Sequence, residues 1–174
     1  MFKIGAMAFI LVFTSFGAAA RETIAIEMYS VTVEGTGAKI GIITARDTPE
    51  GVEFVPELSG LTSGAHGFHL HQEPNCNPAE KDGNSVPGLA AKGHFDPENT
   101  EIHAGPGGTG HLGDLPALTA DRDGNVSLPV LAPRLKTGDL KDHALVIHAG
   151  GDNYADVPSK LGGGGARVAC GIIR

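Results

Sequence analysis

Two histidines one residue apart, His69 and His71 in the run GFHLH, constrain this chain more than anything else in it. Side chains on a strand alternate between faces, so both rings leave one face while Phe68 and Leu70 leave the other as a core-facing pair. The run ALVIH repeats the device, with His148 sharing a face with Ala144 and Val146 while Leu145 and Ile147 point the opposite way. Three imidazoles on strand faces, backed by apolar side chains, suit a nitrogen-rich site for copper or zinc. The Gly- and Pro-rich segment from Gly93 to Asp114 adds His94, His103, His111 and Asp114. Three histidines and a carboxylate can close a four-coordinate zinc site with no open position, the layout of a structural site. Taken singly, an HxH pair reads as hydrogen-bonded or solvated rings, and loop histidines read as loop polarity. Together they make seven candidate ligands in a chain with only 8 histidines, and a metal centre is the better reading.

The rest of the chain reads as an all-β frame. TIAIEMYSV, AKIGIIT and GVEFVPEL are β-branched or alternate apolar with polar, and EGTG and RDTPEG separate them as turns. PALTA, a turn at Asp121-Arg122-Asp123-Gly124, NVSLPVLAP, the ALVIH strand and a final ARVACGII strand follow the histidine-rich segment. No long stretch has a helical period. About eight short antiparallel strands imply a Greek-key β-barrel or sandwich. Two Gly/Pro-rich connections, at 72–115 and 149–165, are longer than ordinary loops and carry candidate ligands, so they read as functional loops.

Residues 1–20 place Lys3 before an apolar run that ends in Ala18-Ala19-Ala20, the layout of a secretory signal peptide cleaved before Arg21. The run is interrupted and shorter than a membrane span needs. What remains, 21–174, is of a length that fits one domain. The formal net charge is −7, or −8 once Lys3 leaves, and with no basic patch this excludes nucleic acid as a natural partner. Cys76 and Cys170 in an exported chain most simply form one disulfide, two free thiols or a third metal site being the alternatives.

The segments HGFHLH, GHFDPENTEIHAGPGGTGHLGDLPAL, VIHAGGDN and LGGGGARVACGII resemble the copper-zinc superoxide dismutases, in particular the exported bacterial branch. The resemblance runs across most of the chain after Leu58. It implies copper on His69, His71, His94 and His148, and zinc on His94, His103, His111 and Asp114, with His94 bridging both and supplying a proton. It further implies that Asp152 links His69 to His103, and that Arg167 guides superoxide to copper. The implied reaction is disproportionation of superoxide to dioxygen and hydrogen peroxide, in the periplasm, by a monomer or a homodimer. His66 has the opposite parity to His69 and is expected to be hydrogen-bonded support; His143 is expected to be an ordinary edge residue. Lys92 and Gly88 look like loop variation that leaves the ligands untouched. Two rivals remain: a copper carrier on the same fold, which needs neither a bridging histidine nor Arg167, and an adhesive sandwich that binds zinc alone.

Overall fold

The computed structural model describes residues 23–174. The expected signal segment, residues 1–20, lies outside the described residues. Three long strands open the chain: β1 (Thr23–Thr32), β2 (Gly35–Thr48) and β3 (Gly51–Leu58). Short strands follow: β4 (Gly64–His66), β5 (Phe68–His71), β6 (Ala79–Lys81), β7 (Asn84–Val86), β8 (Leu118–Ala120) and β9 (Val130–Ala132). Last come β10 (His143–His148) and β11 (Arg167–Ile173). The main sheet is antiparallel throughout, in the order β5-β10-β11-β1-β2-β3-β9, with β4-β8 and β6-β7 as two-stranded companions. The all-β expectation holds. Among the described residues the only helical turns are short 3-10 segments, and no helix is long and apolar enough to cross a membrane.

The hairpins are tighter than the turn residues suggest. β2 begins at Gly35 and runs to Thr48, so most of EGTG and RDTPEG is strand, and the connections shrink to Val33-Glu34 and Pro49-Glu50. Two-residue loops match the natural twist of paired strands. The connection at 72–115 also hides a hairpin, β6–β7, turned by Asp82 (φ 53°) and Gly83 (φ 75°). Two successive positive φ angles are what an Asp-Gly hairpin turn supplies.

Alternation along β5 and β10 divides their residues between two cores. Phe68, Leu70, Leu145 and Ile147 join the main core with Phe54, Ile43 and Leu118, where Phe54 and Phe68 meet edge to face at 5.4 Å. Each such buried side chain contributes about 1.5–3 kcal/mol. Ala144 and Val146 face the other way, into a smaller cluster with Cys76, Ala91, Val31 and Cys170. Cys76 and Cys170 are joined in a disulfide across 94 residues, so the 72–92 segment is fastened over this outer face. His69 and His71 of β5 and His148 of β10 occupy the same face: His71 pairs with Ala144, and His69 with Val146.

Candidate metal centre

Strand β5 organises the site. Its outer edge pairs with the two ends of the histidine-rich connection, where Leu70 N–H donates to Gly113 O (2.9 Å) and Phe95 N–H donates to Leu70 O (2.7 Å). This sets His94 opposite His71 and Asp114 opposite His69. Two donor sets result, His69, His71, His94 and His148, and His94, His103, His111 and Asp114. In each set one donor atom per residue can be chosen so that all lie within 4.8 Å of one another, and every member is buried.

In the first set, each strand histidine spends one nitrogen on an acceptor away from the centre. His71 Nδ1–H donates to Lys92 O (2.8 Å), His148 Nδ1–H to Gly165 O (3.1 Å), and His69 Nε2–H to Asp152 Oδ2 (2.8 Å). That fixes the tautomers and leaves the other nitrogens facing inward, with His71 Nε2 and His148 Nε2 3.4 Å apart. His69 Nδ1 has no hydrogen-bond partner although it is fully enclosed. Burial, reinforced by His94, pushes His69 down to about 3. Burial likewise pushes His148 down to about 4 and His71 well below the usual range, with Arg167 adding to both. These rings are therefore neutral donors near pH 7.

The second set converges on one oxygen. Asp114 Oδ1 lies 2.9 Å from His94 Nδ1, 2.9 Å from His103 Nδ1 and 3.2 Å from His111 Nδ1. The His103 contact is off the hydrogen-bonding direction, which leaves its buried Nδ1 without a hydrogen-bond partner. Ligands about 2 Å from a tetrahedral ion stand about 3.3 Å from one another, so this cradle is close to the size zinc requires. Burial pulls His103 down, but Asp114 and Asp152 outweigh it and hold His103 up to about 9. Burial would raise Asp114, yet His103 and His94 keep it well below the carboxylate range. Two orphaned ring nitrogens, one aimed into each set, fit a pair of cations better than any internal hydrogen bond.

Asp152 lies between the two sets, accepting from His69 at 2.8 Å and from His103 Nε2 at 2.7 Å. Arg167 is half-buried and is held by two carbonyls, Gly88 O (2.6 Å) and Lys92 O. Lys92 O also receives the His71 bond, so one carbonyl ties the guanidinium to the first set. Lys92 is thus more than loop variation: its main chain, at φ 63°, serves the site. His66 is buried and bonds to His148 O (2.7 Å) and Thr62 O (2.8 Å), the expected support. His143 departs from expectation. It stands on β10, an interior strand, where it donates to Gln72 O (2.8 Å) and packs on Phe95. Two residues that sequence reading passed over hold the loop-borne ligands: Arg134, which reaches the carbonyls of Pro106, Gly110 and His111, and Asp156, which accepts the His103 N–H at 2.9 Å.

An antiparallel β frame carrying two donor sets with one imidazole in common defines a metalloprotein with a paired, histidine-sharing centre. Residues 39–173 match the family model described as copper/zinc superoxide dismutase. Superoxide dismutase [Cu-Zn] 1 of Salmonella typhimurium is 54% identical over 161 residues, covering 91% of this chain and 91% of the relative. The structure of the Cu/Zn superoxide dismutase from Brucella abortus superposes with a TM-score of 0.87 at 50% identity, covering 88% of this chain and 100% of that one. The solution structure of the monomeric copper, zinc superoxide dismutase from Salmonella enterica follows with a TM-score of 0.79 at 51% identity, covering 88% and 100%. The chain belongs to the copper/zinc superoxide dismutase family.

Proposed function

We propose that this chain disproportionates superoxide at a copper ion held by His69, His71, His94 and His148, beside a zinc ion held by His94, His103, His111 and Asp114. The family carries the activity and both metals. The division of ligands rests on one observation: His94 is the single residue common to both donor sets. Four imidazoles suit copper, and three imidazoles with a carboxylate suit a closed zinc site. When bound, copper supplies the alternating one-electron chemistry by which two superoxide anions and two protons become dioxygen and hydrogen peroxide.

The protein's own residues do the rest. Neutral His69, His71 and His148 present lone pairs because burial opposes their protonation. Asp152 and the Lys92 and Gly165 carbonyls hold those rings in the required tautomer. His94 keeps Nδ1 at Asp114, so its other nitrogen is the one able to hold and deliver a proton on the copper side. Arg167 spends donors on Gly88 O and Lys92 O and has others left for an anion. Its fixed positive charge attracts superoxide locally despite a net charge of −7. A copper carrier has no need of the shared histidine and the anchored arginine, and a zinc-only sandwich has no need of the four-imidazole set. The apolar run at 1–20 supports export, removal before Arg21 and action of 21–174 in the periplasm.

The test is an assay of the copper- and zinc-loaded protein across ionic strength, with Arg167→Ala beside it. The wild type should carry one ion of each metal, turn over superoxide and slow as salt rises. Arg167→Ala should retain both metals, lose about tenfold in rate and lose most of its salt dependence. Retention of a single metal type would overturn the ligand division, and equal salt profiles would overturn the role of Arg167.

A further inference from the structure

His103 lies in the middle of the Gly93–Asp114 connection, where no strand ladder fixes it, yet it is held at both ring and main chain. Its ring is held between Asp114 and Asp152. Its own N–H donates to Asp156 Oδ2 at 2.9 Å, and the next N–H, of Ala104, donates to Asp114 Oδ2 at 3.0 Å. The second oxygen of Asp156 accepts the Leu161 N–H at 3.0 Å. One carboxylate therefore fastens the 149–165 connection to a main-chain group 53 residues away. The fastening falls beside the chemistry. Leu161 precedes Gly162 (φ 69°), where an added Cβ would lie 1.9 Å from Asp152 Oδ1 and 2.8 Å from His103 Nε2. The turn that Asp156 secures thus rests directly on the Asp152–His103 contact. Asp156 and Leu161 also line the open depression that borders His94 and His111.

We propose that Asp156 is a positioning residue for zinc: by holding the His103 and Leu161 N–H groups on its two oxygens, it locks one connection over the other and sets how tightly the second donor set keeps its metal. The proposal rests on His103 being a zinc ligand. An isolated loop amide can turn to water at little cost, so a lost bond here frees the ligand's main chain to wander. Outlying partners that orient a ligand ring contribute about 10- to 100-fold in metal affinity. Asp156 acts one step further back, through the main chain, so its removal should cost about tenfold.

The experiment measures zinc retention by the copper- and zinc-loaded protein against a graded chelator, for wild type, Asp156→Ala, Asp156→Asn and Asp121→Ala. Asp121 is the matched control, because its Oδ1 also accepts two main-chain N–H groups, of Asp123 (2.9 Å) and Asn125 (2.8 Å), in a turn that carries no ligand. Asp156→Ala should release zinc at about one-tenth the chelator concentration, with the copper signal in electron paramagnetic resonance unchanged at full zinc loading. Asp156→Asn keeps one acceptor but sets an N–H against a main-chain N–H, and should fall between. Cobalt(II) placed in the zinc site should show an altered visible spectrum in the Asp156 variants and not in Asp121→Ala. Wild-type retention by Asp156→Ala, or equal losses in Asp121→Ala, would overturn the proposal. If Asp156→Ala does not fold, Asp156→Asn decides by the same criterion. A wild type that holds no zinc would instead overturn the ligand division above.

Discussion

His69, His71 and His148 reach the centre from strands β5 and β10, whereas His103 and His111 reach it from the middle of a connection without regular structure. The strand-borne rings inherit their positions from a ladder in which every register step is shared with a neighbour, Ala144 with His71 and Val146 with His69. Their outward nitrogens need only nearby acceptors. The loop-borne rings have no ladder, and their positions are supplied by side chains from elsewhere. Arg134 gathers the carbonyls of Pro106, Gly110 and His111, Asp156 takes the His103 N–H, and Asp152 takes its ring. A strand-built half should keep its shape when a ligand is lost, whereas a loop-built half should depend on distant charges and on a bound metal.

Removing zinc should break the symmetry between the halves most strongly. With free zinc about a thousandfold above its dissociation constant, mass action stabilises the folded chain by about 4 kcal/mol. In a chain of this size that is about 8–16 °C of Tm. Hydrogen exchange should locate the loss, with amides of 99–112 and 152–163 exchanging faster while those of β5 and β10 keep their protection. Equal loss of protection in β5 and β10 would mean that both halves depend on the metal alike. Arg134→Ala is the next largest change. It strips three carbonyls of one charged donor, those of the buried Gly110 and His111 among them, so unfolding at saturating zinc should lose about 2 kcal/mol. Lysine lacks the planar fork that serves several carbonyls, so Arg134→Lys should recover less than half of that. An unchanged denaturation midpoint in Arg134→Ala would show that the connection holds itself.

The same contrast governs how much could be read in advance. Within each strand, parity alone sets His69 and His71 against Phe68 and Leu70, and His148 against Leu145 and Ile147, because a period of two is written directly into residue order; only the β5–β10 register brings the two histidine faces together. The loop-borne candidates are visible as residue types and group as a possible zinc set, but only the resemblance makes His94 common to both sets. Arg134 and Asp156 left no local signal. Apart from the Leu161 N–H on Asp156, their partners are main-chain groups 23 to 53 residues distant, and any residue type can offer a carbonyl or an N–H. The β6–β7 hairpin is a different miss, since Asp82-Gly83 was a legible two-residue turn inside a segment read wholly as loop. EGTG and RDTPEG err the other way, because Gly35 and Gly51, both at φ 134°, serve at strand starts and not at turn centres.

Acid should separate the halves by the smallest margin. Metal and proton compete for the same ring nitrogens. His69 and His148, pushed down to about 3 and about 4, bind protons only in strong acid, so protons gain no hold on these two rings until pH has fallen well below 6.5. His103, held up to about 9 by Asp114 and Asp152, accepts a proton across the whole range below that. The sign follows for folding as well. A depressed histidine contributes stability that is complete above its unfolded value near 6.5 and is lost as pH falls through 4 to 3. His103 contributes stability that is complete below about 6.5 and is lost as pH rises through 9. Copper also binds nitrogen donors more tightly than zinc does. On slow acidification of the loaded protein, with each ion measured after dialysis, zinc should leave about one pH unit before copper, a difference of about 1.4 kcal/mol. Simultaneous release, or copper leaving first, would show that the carboxylates around His103 favour zinc over the proton by more than burial protects the strand-borne rings.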